Sequence, residues 1–283
     1  MRLYDVFPGS SKLVEGEMPS ESLLLLGPSG IGKTIFCKQF LYRGLLVGEP
    51  CIYVATDESP EEISESMRIF GFDIKAYRES DLFRVVDCYS WKLGGVSSSE
   101  YVVRNPGDLA TVSMAIEKAK HGLDRIRLVL DSITGLTSIC NHDATVFSKF
   151  LQIIVARIRS LNGNAIFTAA PEAHDPHFLS YLRLMFDGTL EMKDDESGKE
   201  IKRLLRIFSI KGAKHKTSWT PFEITNRGIK VKSGVELRCT MCSKLIDWEP
   251  FTETIEGKKY NFDSATCANT YKKLKALYGE DFE

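Results

Sequence analysis

The sequence predicts an α/β protein: a doubly wound, mostly parallel sheet with antiparallel hairpins at its edge, followed by a small cysteine-bearing module. Three observations carry this. Short apolar runs alternate with helix-compatible segments between Ser22 and Ala169, the signature of repeated βαβ units. A glycine-rich turn, Gly27-Pro28-Ser29-Gly30-Ile31-Gly32-Lys33-Thr34, joins the first apolar run to the first helix. Cys239, Cys242 and Cys267 gather beyond a Ser233-Gly234 linker, while Cys37, Cys51, Cys88 and Cys140 are scattered. The expected division is residues 1–232 for the large domain and 233–283 for the module.

The elements follow in order. A Gly/Pro-bearing turn, Glu15 to Pro19, leads into the strand Ser22–Leu26, and a helix spans Ile35 to Leu46 before Gly48-Glu49-Pro50 ends it. The strand Cys51–Thr56 stops at Asp57-Glu58. Ser59-Pro60-Glu61-Glu62 then has the form of a capping box, with Pro60 at the first helical position and Gly71 as the stop. Leu82–Asp87 is a third strand, and Ser90–Asn105 reads as a long surface loop. Asn105 to Asp108 opens a helix that runs to Gly122 and feeds a continuous apolar strand, Ile126 to Asp131. From Asp143 to Leu161, Val146, Phe147, Phe150, Ile154, Ile158 and Leu161 recur at helical spacing, so that helix faces a core. Ala165–Ala169 is the next strand. Phe186–Lys193 and Ile201–Lys211, then Phe222–Thr225 and Ile229–Lys232, flank turn sequences and form antiparallel hairpins.

Composition narrows the function. A chain of 283 residues with 43% hydrophobic residues builds a substantial core, and a formal charge of -1 excludes a globally basic nucleic-acid binder. Met1 to Asp5 has no secretory signal pattern and no apolar run is long enough to span a bilayer, so the expectation is a cytoplasmic protein without membrane contact. Scattered single thiols suit a reducing compartment.

The chemistry starts at Gly27–Thr34, which satisfies G-x-x-x-x-G-K-[ST] between a strand and a helix. Glycines let successive N–H groups converge on an anion, and the helix N-terminus adds partial positive charge. In that motif Lys33 reaches the β- and γ-phosphates of ATP and the Thr34 hydroxyl ligates Mg²⁺. Asp131, ending a buried strand, is the expected second Mg²⁺-organising group. Asp57 and Glu58 close another strand, at the end of the sheet where such folds bind ligands, and either is placed to polarise a water. The same pair also favours the following helix N-terminus in any protein.

These residues, with Gln39-Phe40-Leu41, Thr56-Asp57-Glu58-Ser59-Pro60, Phe70-Gly71-Phe72-Asp73, Val129-Leu130-Asp131-Ser132, Phe186-Asp187-Gly188, Ile210-Lys211-Gly212 with His215, and Pro221-Phe222-Glu223-Ile224, resemble the KaiC-type branch of the RecA/RadA ATPases over residues 1 to about 232. The resemblance implies a RecA-like core, assembly into a homo-oligomeric ring such as a hexamer, and ATP at subunit interfaces. It implies catalytic carboxylates at Asp57 and Glu58, with Glu58 favoured as the water-polarising group. It also implies that a basic pair reaches a neighbour's γ-phosphate. Here the family's Lys-x-Arg-Gly reads Ser209-Ile210-Lys211-Gly212, which removes one charge and leaves Lys211 without a planar fork. Slow hydrolysis, or ATP binding used as a switch, follows.

Cys239-Thr240-Met241-Cys242 has the two-residue gap that lets two thiolates hold one ion. The fragment from Gly257 to Ser264, with Cys267 and Tyr271, resembles the TRASH/YHS group of treble-clef modules, Asp263 standing where that family has a cysteine. By that resemblance Cys239, Cys242, Asp263 and Cys267 bind Zn²⁺, carboxylate oxygen being an acceptable ligand. Two alternatives stand beside it: Asp263 as N-cap of a helix from Ser264 to Leu277, and Cys239/Cys242 as a redox pair.

Three functions remain: a KaiC-like regulatory ATPase whose nucleotide state controls assembly or a protein partner, a RadA-paralogue-like DNA-binding accessory, and a non-hydrolysing nucleotide sensor. The basic stretch from Lys199 to Lys216 is the feature that suits nucleic acid, though such runs are usually solvated. Pro171 to His177 lacks the basic, glycine-rich character of a DNA loop, and His174 and His177 read as loop residues.

Overall fold

A computed structural model describes residues 13–15, 22–140, 143–197, 201–232, 238–244, 246 and 250–278. Strands β1 (Val14–Glu15) and β2 (Ser22–Leu26) precede helix α1 (Lys33–Leu46), and β3 (Cys51–Ala55) follows it. Then come α2 (Pro60–Ile69), α3 (Lys75–Glu79), β4 (Phe83–Asp87), β5 (Tyr101–Val102), α4 (Leu109–Lys120), β6 (Arg127–Asp131), α5 (Ile133–Ile139), α6 (Ala144–Ser160), β7 (Asn164–Ala169) and α7 (Pro176–Met185). The remainder is β8 (Gly188–Asp195), β9 (Lys202–Ile210), β10 (Lys214–His215), β11 (Thr220–Thr225), β12 (Gly228–Val231), β13 (Phe251–Ile255), β14 (Lys258–Phe262) and α8 (Ala265–Tyr278).

A ten-stranded sheet runs β12-β11-β9-β8-β2-β7-β6-β3-β4-β5. From β8 to β5 every pairing is parallel, and β9, β11 and β12 extend the β8 edge as an antiparallel wing. The expected edge hairpins are therefore present. The apolar runs are continuous because both faces of the parallel part are covered. Leu23 and Leu25 point into one core with α1, and Leu24 and Leu26 point into another with α4 and α6, as strand alternation demands.

Local signals explain most helix ends. Ser59 and Glu62 form the reciprocal capping box, Pro60 follows, and Gly71 takes positive φ just past the C-cap. Asp143 caps α6 through the Val146 N–H. α1 starts at Lys33, earlier than the apolar pattern suggests, because Gly32 takes φ 116 and lets the helix begin inside the phosphate loop.

Three helices are absent from the sequence reading, the short α3 among them. α5 begins immediately after β6 in a Thr/Gly/Ser-rich segment of poor propensity; it is held by the Ser132 cap on Gly135 N–H and by buried Ile133 and Leu136. α7 begins at Pro176 behind an Asp175 cap, within the segment expected to be loop, so His177 is helical and only His174 lies in a connection. The expected turn over Gly16–Pro19, Gly198 of the hairpin turn, Lys199, Glu200 and the Ser233-Gly234 linker lie outside the described residues.

Beyond the sheet, β13 and β14 form a separate antiparallel hairpin against α8. Its buried cluster is small: Cys239, Ile246, Phe262, Ala268 and Tyr271. Among the described residues no helix is long and apolar enough to cross a membrane.

Candidate active site

The loop Gly27–Thr34 leaves the C-terminal end of β2 and enters α1. Its residues Ser29, Gly30, Gly32, Lys33 and Thr34 line a cavity of about 550 Å³ together with Asp57, Asp131 and Ser132. Lys33 is the one cation among the described lining residues. Its Nζ donates to the Gly27 and Pro28 carbonyls at 2.7 and 2.8 Å, so the ammonium is stored over the loop. Burial lowers the Lys33 pKa, with Asp131 and then Glu172 working in the opposite direction. Packing tolerates only glycine at the first position: a Cβ on Gly27 would stand 2.9 Å from the Met192 carbonyl oxygen. Pro28 and Ile31 complete the loop, the latter fully buried.

Asp131 ends β6 opposite the start of α1. Its Oδ2 accepts from Thr34 Oγ1 at 2.7 Å and from Tyr53 Oη at 2.8 Å, and Thr168 Oγ1 donates to Oδ1. The peptide bond after it, to Ser132, is cis. Burial, then the Asp131 charge, raises the Tyr53 phenol pKa well above its ordinary value, so Tyr53 remains a donor to the carboxylate. A hydroxyl and a carboxylate in contact beside a phosphate loop make a hard oxygen pair, which fits Mg²⁺.

The two residues that follow β3 diverge. Asp57 lines the cavity; its Oδ2 accepts from Thr56 Oγ1 at 2.9 Å and from Ser132 Oγ at 3.1 Å. Glu58 does not line it: both its oxygens accept from Lys38 Nζ, at 2.9 and 2.6 Å. The residue expected to polarise a water is thus turned toward α1, and its neighbour faces the cavity. α5 packs so tightly here that a Cβ on Gly135 would stand 2.1 Å from Thr56 Oγ1.

Lys211 lies elsewhere. It follows β9, donates to the Leu184 carbonyl at 3.3 Å and stands 3.8 Å from Asp187 Oδ1. Asp187 in turn binds the Ser22 N–H and hydroxyl, at the start of β2, whereas the phosphate loop leaves the end of that strand. Five strand residues at about 3.3 Å each separate them, roughly 16 Å along the sheet. Lys211 does not reach the cavity of its own chain. The basic stretch around it is partly engaged: Arg206 pairs with Glu191 and, with Lys193, stacks on Trp219.

The cysteine cluster assembles in space. One ligand atom from each of Cys239, Cys242, Asp263 and Cys267 lies within 4.8 Å of all the others. Cys242 Sγ is 3.8 Å from Cys267 Sγ, Cys239 Sγ is 3.5 Å from Asp263 Oδ1, and Cys242 Sγ is 3.6 Å from Asp263 Oδ2. A tetrahedron with Zn–S near 2.3 Å and Zn–O near 2.1 Å has edges of about 3.8 Å between sulfurs and about 3.6 Å between sulfur and oxygen. The three contacts have those lengths, the two to Asp263 reaching different oxygens, and the other pairs lie within 4.8 Å, so the donor set suits zinc. The capping role that competes for Asp263 belongs to Ser264, whose Oγ accepts the Cys267 N–H at 3.3 Å.

Sequence reasoning missed Lys38, Tyr53, Thr168 and Ser132. Ser132 had a signal, a cap residue directly after a strand-end aspartate. Lys38 and Tyr53 had none: each sits on an element read as core, and only the packed sheet turns them toward carboxylates. Glu172, whose carboxylate accepts the Ser29 N–H at 3.2 Å, was also unforeseen.

Comparison with known proteins adds four findings. A family model described as "ATPase: KaiC" matches residues 8–236. A UPF0273 protein of Methanocaldococcus jannaschii is 33% identical over 228 residues, covering 79% of this chain and 93% of its own. Another, of Sulfurisphaera tokodaii, is 29% identical over 263 residues, 92% of each chain, and so its similarity extends past residue 236 into the module. Among solved structures, a KaiC-like protein of the archaeon Pyrococcus horikoshii aligns with a TM-score of 0.64 at 23% identity, covering 82% of this chain and 99% of that one. At that identity the likeness concerns the fold.

Proposed function

This chain belongs to the KaiC ATPase family, and on that premise we propose that it binds ATP at Gly27–Thr34 and hydrolyses it slowly, its nucleotide state controlling assembly or a protein partner in the cytoplasm. The observation that carries the reading is convergence: Lys33 and Thr34, Asp131, and Asp57 come from three separate segments and face one cavity. Backbone N–H groups of Gly30 to Thr34 cradle the phosphates, and Lys33 swings from the loop carbonyls to the β- and γ-phosphate oxygens. Thr34 and Asp131 hold Mg²⁺, which when bound neutralises charge on those oxygens. One of the carboxylates Asp57 and Glu58 orients the attacking water and takes its proton.

Lys33 as the single lining cation among the described residues leaves the γ-phosphate side short of positive charge. Lys211, too distant in its own chain, suits delivery from a neighbouring subunit, which supports a homo-oligomer. A single lysine in place of an arginine fork makes weak stabilisation of the transition state, hence slow turnover. Residues 233–283 act as a separate recognition arm, stapled by Zn²⁺ on Cys239, Cys242, Asp263 and Cys267; its few buried side chains and the tetrahedral spacing support that.

Phosphate release decides the matter. The wild type should release phosphate from Mg²⁺–ATP, and Lys33→Ala should not. Indistinguishable rates would replace hydrolysis with nucleotide binding alone.

A further inference from the structure

Lys38 is a lysine where a soluble core has little use for one. It sits one turn beyond Thr34 on α1 and is 1% exposed. A buried ammonium is retained only where partners take its protons. Here all three have acceptors: the two Glu58 oxygens at 2.9 and 2.6 Å and Ser66 Oγ of α2 at 2.5 Å. The Ser66 hydroxyl in turn donates a hydrogen bond to the Ile63 carbonyl at 3.1 Å. Glu58 is thereby pinned between α1 and α2. The preceding residue, Asp57, lies with it in the bend beyond β3, and its carboxylate is held by Thr56 and Ser132 at the cavity wall.

We propose that Lys38 is a positioning residue that divides labour between the two carboxylates: it holds Glu58 outside the cavity, and leaves Asp57 as the group that accepts the water proton. The proposal rests on the hydrolysis reading above. In the step it serves, the water oxygen bonds to the γ-phosphorus and the bond from that phosphorus to the bridging oxygen breaks. The electron pair leaves with ADP, and the water proton passes to Asp57. The Lys38–Glu58 pair also sets the charge near Asp57, because the ammonium cancels a neighbouring anion. The other charged groups around Asp57 are Lys33 and Asp131 across the cavity, Glu172 beside the phosphate loop, and Lys92, whose Nζ donates to the Thr56 carbonyl at 3.2 Å.

The test is the pH profile of kcat/KM for phosphate release by Lys38→Met, Glu58→Gln and the double variant, with Lys33→Ala as control and thermal melts alongside. Lys38→Met leaves a net negative charge by Asp57 and should move the acid limb up by about one pH unit; Glu58→Gln leaves a net positive charge and should move it down. The double variant, a neutral pair, should return the limb to its wild-type place. Lys38→Arg, which keeps the charge, serves if Lys38→Met folds poorly and should leave the limb unmoved. Asp57→Asn should lose about 100-fold in kcat with the ATP KM within about threefold. Single variants that lower the melting temperature without shifting the limb make the pair merely structural and overturn the proposal, as does loss of turnover in Glu58→Gln with retention in Asp57→Asn. A wild type no faster than Lys33→Ala removes the hydrolysis reading and this proposal together; Lys33-dependent turnover with unmoved limbs removes this proposal alone.

Discussion

The parallel sheet and the C-terminal module solve the same problem by opposite means. Around the sheet, two large apolar clusters cover both faces, and the charged site is a by-product of where strands end. Among the described residues of the module, five buried residues form the cluster, with Met241, Ile255, Tyr260 and Cys267 partly buried against it, and three thiols and a carboxylate converge there. Burial of that scale does not offset the ordering of a hairpin and a helix. On the zinc proposal, one region folds and then presents ligands, and the other presents ligands in order to fold.

Metal removal should break the comparison most sharply. Structural zinc contributes about 10 kcal/mol or more to small modules, so a strong chelator should release hydrogen-exchange protection across 251–278 while 22–232 stays protected. Loss of protection in both regions would mean that the module and sheet are one cooperative unit. Next in size is a cavity in the sheet: Leu24→Ala, at a fully buried central position, should cost about 2–5 kcal/mol in denaturant unfolding and leave metal content unchanged.

Gly135→Ala separates packing from chemistry. Its Cβ would press on Thr56 Oγ1 and displace the wall that carries Asp57. Turnover should fall about 100-fold, as expected for a displacement near 1 Å, with a smaller change in stability. A variant with wild-type kcat would show that this wall does not position the reacting groups.

The smallest effect concerns acid. Burial pushes the Asp187 carboxyl up, but hydrogen bonds from Arg159 and Ser22 outweigh it and hold its pKa below the ordinary value. A depressed folded pKa adds stability above the unfolded value of about 3.9 and loses it as pH falls through the folded one. Asp187→Asn should therefore flatten the acid limb of the sheet's unfolding profile and leave neutral-pH turnover unchanged.

How much of this was legible follows from where each signal resides. Gly27–Thr34, Asp131 and the capping box at Ser59 are local patterns, and local chemistry places them. The division between Asp57 and Glu58 is not local: it depends on Lys38, which reads as one more residue of a helix until α1 packs on β3. α5 and α7 were missed for different reasons. α5 is formed by tertiary burial over weak propensity, whereas α7 had an Asp-Pro start that a neighbouring proline and histidines disguised as loop. The four-ligand cluster was readable from cysteine spacing and the resemblance at Asp263, but its tetrahedral edges come only from the hairpin and helix meeting.

The central claim is a slow ATPase whose site is completed by a neighbouring subunit, and subunit mixing tests it most directly. Lys33→Ala should be inactive and Lys211→Ala reduced about tenfold, each alone. Mixed in equal amounts under exchange conditions, about a quarter of interfaces would pair an intact phosphate loop with an intact Lys211. Phosphate release should then rise above the sum of the separate rates. A mixture that only averages its two components would contradict a shared site.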